Sequence, residues 1–124
     1  MNSTRPVNLD LLRMRFPVTA VVSILHRLSG IIMFIFLPLF LYIISQASNT
    51  PSSYHQLQTL LLTPWMIVLI WGILSASIYH ILAGVRHLLA DMGVGESLVF
   101  ARCSAWLLII VEFVVIAILG VWLW

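Results

Sequence analysis

Residues 77–91, Ser-Ile-Tyr-His-Ile-Leu-Ala-Gly-Val-Arg-His-Leu-Leu-Ala-Asp, set an imidazole inside an apolar run and follow it with a charged, polar end. At about 3.6 residues per turn, Ser77, His80, Gly84 and His87 fall on one helical face. His80 lies about 9 Å along the axis from Arg86, at a rise of ~1.5 Å per residue, which puts it below a membrane surface but nearer one side. An ionisable group at that depth is costly unless it is paired or bound. One chemistry that suits the set is ligation of a haem seen edge-on: an imidazole nitrogen for the iron, a gap at Gly84 for the macrocycle, and Arg86 and His87 for the propionates. A packing role suits it too, with His80 hydrogen-bonded to a neighbouring helix and Gly84 letting that helix approach. Spacing alone leaves both open.

A second polar set precedes it in the chain. Ser23, His26, Arg27 and Gly30 recur at i, i+3, i+4 and i+7 and so share a face near the start of another apolar run. Taken alone, Arg27 reads first as a snorkelling anchor with His26 beside it.

The elements that must hold these groups are membrane spans. The 124-residue chain is 62% hydrophobic and 8% charged, with a mean hydropathy of +1.12, outside the range of a soluble domain. The expected architecture is an all-α membrane protein, a single anchor domain over 1–124 with three transmembrane helices at about 17–46, 63–90 and 103–124. A cleavable signal peptide is not expected, because the first apolar run follows several arginines and continues too far. One cysteine, Cys103, excludes an intramolecular disulfide and any all-protein cysteine cluster.

Pro17 suits the first turn of the first span, and Pro38 should bend that span locally. Arg5, Arg13 and Arg15, with Leu9 and Leu12, give the N-terminal segment a weak amphipathic pattern that suits the membrane surface. Residues 48–53 read as a turn-forming loop followed by a solvated His55. Pro64 and Trp65 mark the start of the second span. Residues 91–102 read as a connection in which Gly93 and Gly95 end the helix, with Glu96 and Arg102 in water. Trp122 and Trp124 resemble an aromatic belt. Glu112 interrupts the last span and has no evident partner at its depth.

All six basic residues are arginines, and the net charge of +2 gives no case for nucleic acid. Arg5, Arg13, Arg15 and Arg27 come early, Arg86 and Arg102 flank the second connection, and the first connection and the C-terminus have none. The positive-inside rule then expects a cytoplasmic N-terminus and an external C-terminus. His26, Arg27, His80, Arg86 and His87 gather near the cytoplasmic side on two helices.

Three stretches carry a family resemblance: Arg-Pro-Val-Asn-Leu-Asp-Leu at 5–11, Ser-Ile-Leu-His-Arg-Leu-Ser-Gly at 23–30, and Tyr-His-Ile-Leu-Ala-Gly-Val-Arg-His-Leu-Leu-Ala-Asp at 79–91. Over nearly its whole length the chain resembles the cytochrome b556 subunits of succinate dehydrogenase, membrane anchors of bacterial respiratory complex II. The resemblance implies that His80 is an axial ligand of haem b iron, the other ligand coming from a second membrane-anchor subunit. It implies that His26, Arg27 and His87 lie by the haem propionates and that Ser23 and Arg27 help form a ubiquinone site. Catalysis would belong to the assembled complex, with a flavoprotein subunit and an iron–sulfur subunit that passes electrons to this chain. The expected setting is a heteromeric helical bundle in the bacterial cytoplasmic (inner) membrane. A non-redox anchor for peripheral subunits, with His80 merely packing, is the alternative; a small transporter built on Glu112 is a further one. Glu112 matches nothing in the family pattern.

Overall fold

The computed structural model describes residues 16–95 and 97–124, and over these it is helical throughout with short connections. The N-terminal amphipathic segment with Arg5, Arg13 and Arg15, and also Glu96, lie outside the described residues. Four helices follow in order: α1, Val18–Asn49; α2, Pro51–Leu61; α3, Pro64–Asp91; and α4, Leu98–Leu123. α1, α3 and α4 are long and apolar enough to cross a membrane.

Pro17 is the extended N-cap of α1 and not its first helical residue. The helix continues past Pro38 to Asn49. At 32 residues it is about 48 Å long, so its ends project beyond a ~30 Å hydrocarbon core.

The expected 48–53 loop is a single corner at Thr50, and α2 is an element the hydrophobic pattern did not announce. Thr50 caps α2 reciprocally with Ser53: Ser53 N donates to Thr50 Oγ1 at 3.1 Å, and Thr50 N donates to Ser53 Oγ at 2.9 Å. Pro51 takes the first turn, where its missing N–H leaves no carbonyl wanting. Ser53 Oγ also reaches Gln46 O at 2.9 Å, satisfying a carbonyl in the last turn of α1. His55 is exposed as expected, but on a helix and not in a loop.

Pro64 opens α3 after the Thr63 cap. Its far end closes in a Schellman arrangement, with Val94 N donating to Leu89 O at 2.9 Å and Gly93 N to Ala90 O at 3.0 Å. Gly93 and Gly95 both have positive φ, at 80° and 78°. At Gly95 a Cβ would also run into the Phe100 ring, so a side chain is excluded there twice over. α4 begins at Leu98, five residues before the expected Cys103, because Ser97 caps it by accepting from Phe100 N at 3.2 Å. Arg102 is therefore an exposed helical residue.

The three spans meet in a narrow core of Val22, Tyr79, Ala83, Ala105 and Leu108. Side chain to backbone bonds pin them at different depths: Tyr79 OH to Val22 O at 3.0 Å, Arg86 Nη2 to Ala101 O at 2.8 Å, and Trp71 Nε1 to Ile116 O at 3.0 Å. Small Ala83 and Ala105 let α3 and α4 approach closely, the usual basis of helix packing where lipid is as apolar as the side chains. The outer faces stay large and apolar, as at Phe34, 76% exposed. That surface suits lipid and the neighbouring helices of a heteromeric bundle.

Candidate functional site

α1 and α3 cross so that His26 and His80 meet. Their rings stack with centroids 4.2 Å apart and 17° between planes, and His87 lies beyond His26 at 5.2 Å and 51°. Two glycines make this possible reciprocally. A Cβ on Gly30 of α1 would stand 3.0 Å from His80 Cε1, and one on Gly84 of α3 would stand 3.4 Å from His26 Nε2. The space opposite Gly84, expected to clear a macrocycle, thus holds the His26 ring.

The hydrogen bonds of His80 decide its tautomer. Nδ1 is 3.1 Å from His26 O and 3.0 Å from Ser29 Oγ, while Ser29 Oγ donates to His26 O at 2.8 Å. A carbonyl oxygen can only accept, so Nδ1 must carry the proton beside it. The Ser29 hydroxyl has spent its own proton on His26 O and accepts from the same N–H. In the neutral ring Nε2 is then left with its lone pair, the form in which imidazole binds a metal. Ser29 went unrecognised in the sequence, although a serine one turn after His26 in an apolar helix is itself a signal.

His80, His26, Arg27 and Gly30, with Ile31 and Phe34, line an open cavity of about 410 Å³. Arg27 is exposed on its rim. Ser23 stands one turn before Arg27 on the same face, half-buried and outside the cavity wall. His87 is half-buried behind His26 and does not line the cavity either.

Neither Arg86 nor Ser77 of the 77–91 stretch joins the site. Arg86 turns to α4, donating from Nε to Ser104 Oγ at 3.0 Å as well as to Ala101 O, so its expected role toward propionates gives way to holding two helices together. Ser77 bonds back to Ile73 O at 2.8 Å within its own helix. Among the described residues no three His, Cys, Asp or Glu side chains form a metal-binding group; the imidazoles stack instead of converging.

Long apolar helices that gather imidazole and guanidinium groups near one end define an integral membrane protein with a polar site on one side of the bilayer. The chain belongs to the succinate dehydrogenase/fumarate reductase transmembrane subunit family, whose model matches residues 1–119. It is 42% identical over 125 residues to a succinate dehydrogenase cytochrome b556 subunit of Coxiella burnetii (strain RSA 493 / Nine Mile phase I), covering 100% of both chains. It is 35% identical over 98 residues to a succinate dehydrogenase cytochrome b560 subunit of Porphyra purpurea, covering 73% of this chain and 74% of that one. With a cytochrome b556 subunit of Paracoccus denitrificans the identity is 30% over 105 residues, covering 85% and 81%. The chain is accordingly a multi-pass membrane subunit of such a complex and works with partner subunits.

Proposed function

We propose that this chain supplies one of two axial histidines to a haem b and part of a ubiquinone-reduction site, as a membrane anchor of a succinate:quinone oxidoreductase. The observation that carries the reading is the tether on His80: Nδ1–H is held by Ser29 Oγ and His26 O, which leaves Nε2 available in a ring that lines the open cavity. The open side of the cavity leaves room for a second anchor subunit, which would supply the remaining wall and the second imidazole. Haem b bound there supplies a one-electron redox centre. His26 and Arg27 on the cavity wall, with His87 one ring behind His26, would provide hydrogen-bonding and positive groups for its propionates. Arg27 and Ser23 hold a quinone whose oxygens become negative as it accepts two electrons, and Arg27 stabilises that charge until two protons arrive. The electrons come from an iron–sulfur subunit reduced by a flavoprotein subunit. A visible spectrum of the purified complex tests this: a reduced b-type band is expected, and a colourless complex with all subunits present leaves only an anchoring role.

Gly30 gives a finer test. A methyl at that position meets His80 Cε1 at 3.0 Å while the adjoining Nδ1 is tethered, so the ring must yield by a few tenths of an ångström. Gly30→Ala is expected to shift the low-spin haem spectrum or lower haem occupancy. Gly84→Ala, which meets His26 and not the ligand, should leave the spectrum near that of the parent. Equal spectra for both variants and the parent would refute the proposed orientation of His80.

For topology, Arg27, Arg86 and Arg102 all lie at the end of the bundle opposite α2, which supports a cytoplasmic site in a bacterial inner membrane. A reporter fused after Trp124 should work only if it is of the kind active outside the cytoplasm. Activity of a strictly cytoplasmic reporter would reverse the orientation.

A further inference from the structure

Glu112 sits on α4 and is only 8% exposed, and its Oε2 has no hydrogen-bond partner among the described residues. It lies beneath a cleft of about 380 Å³ between α1, α3 and α4. The hydroxyls around that cleft have no proton to offer it: Ser29 Oγ donates to His26 O, Ser75 Oγ to Trp71 O at 2.8 Å, and Tyr79 OH to Val22 O. Whichever protonation state the carboxyl takes, it keeps an acceptor oxygen, and burying that oxygen in hydrocarbon without a donor is costly. Acyl chains carry no donor. The missing partner must therefore enter the cleft from outside the described residues.

The shape of the cleft says what enters. One wall is Leu25, Leu28 and Ile32 of α1, at i, i+3 and i+7; the other is Ile109, Phe113 and Ile116 of α4, at i, i+4 and i+7. These are two apolar ridges about 10 Å long at ~1.5 Å per residue, the contour that receives the ridge of a third helix. Its floor holds small residues, Ser29, Ser75 and Ala76, which let a backbone come close. The cleft lies on the opposite side of α1 from Arg27, Ile31 and Phe34, and α1 buries only Val22 and Ser29 along its 32 residues. Both flanks of α1 thus lack cover.

We propose that this groove seats a transmembrane helix of a neighbouring membrane subunit, carrying at mid-membrane depth a side chain that donates a hydrogen bond to Glu112. The inference rests on membership of a membrane complex and not on the haem or quinone reading. The experiment uses the whole purified complex. A photoreactive benzoylphenylalanine replacing Phe113, which is 70% exposed, should crosslink to a peptide within a transmembrane helix of the neighbouring subunit. Crosslinks to lipid alone, or to a second copy of this chain, would overturn the proposal.

The second arm compares Glu112→Gln, which keeps an acceptor oxygen, with Glu112→Leu, which does not. If a partner donor exists, the leucine strands it, and the complex should dissociate about tenfold more readily in detergent, with the glutamine variant close to the parent. If there is no donor, the leucine removes a buried liability and the complex should be as stable as the parent or more so, which would sink the idea. Equal losses in both variants would sink it too. The haem spectrum, recorded in parallel, should be unchanged, so a failure here stays separate from a failure of the redox reading.

Discussion

Replacing His80 with leucine should abolish the low-spin, six-coordinate haem signal of the assembled complex. The structure offers no nearby substitute for it. His26 is stacked face to face on His80 at 4.2 Å, so its nitrogens lie beside those of His80 and not in their place, and His87 is a further 5.2 Å away behind His26. Loss of the His80 imidazole should therefore leave either a five-coordinate, high-spin haem held by its propionate contacts or an empty site. His87→Leu, by contrast, should keep the ligand field and mainly shift the redox potential, since it removes a polar group near a propionate. Electron paramagnetic resonance with a visible spectrum on both variants makes the comparison, after a check that every subunit is present. A normal bis-histidine signal in the His80 variant with loss in the His87 variant would mean the wrong imidazole has been assigned.

The second large effect is expected at Arg27. The two arginines near the site differ in what occupies them: Arg86 is turned to α4, with Nε and Nη2 bonded to Ser104 and Ala101, whereas Arg27 is exposed on the rim of the open cavity. Arg27 is thus available to a substrate oxygen. Arg27→Leu should lower quinone reduction by about a hundredfold, the scale on which one preorganised donor to a developing negative charge acts. Succinate oxidation with an artificial dye acceptor should stay largely intact, because the dye takes electrons before the membrane site. Equal loss of both activities would point to failed assembly, and unchanged quinone kinetics would remove Arg27 from the site.

The three spans were legible because each carries an apolar run long enough to cross a bilayer, a signal that needs no knowledge of packing. α2 was not, since its eleven residues are short and polar and their Ser and Pro content resembles a loop. Its cap was nonetheless written in Thr50, Pro51 and Ser53. The early start of α4 was missed for a similar reason: Ser97 is a cap, but Arg102 looked like a boundary. Within the site, helical periodicity was enough to put His26 with Arg27 and His80 with His87. What one helix cannot reveal is the register between two. That Gly84 faces His26, that Gly30 faces His80, and that Arg86 meets α4 all depend on how antiparallel helices slide past one another. Glu112 stood out as an acid in an apolar run, but the hydroxyls around it became apparent only when α1 and α3 were set beside α4.

One of the two acceptors that hold His80 Nδ1 is the main-chain oxygen of His26, which belongs to the peptide unit and not to the imidazole. Substitution at position 26 changes the stacked ring but leaves that oxygen in the helix. The orientation of the His80 ring is therefore buffered against genetic drift at its nearest neighbour. Variants of this protein can exchange the chemistry of the stacked ring while inheriting the same aim of the other, so the two properties can be selected separately.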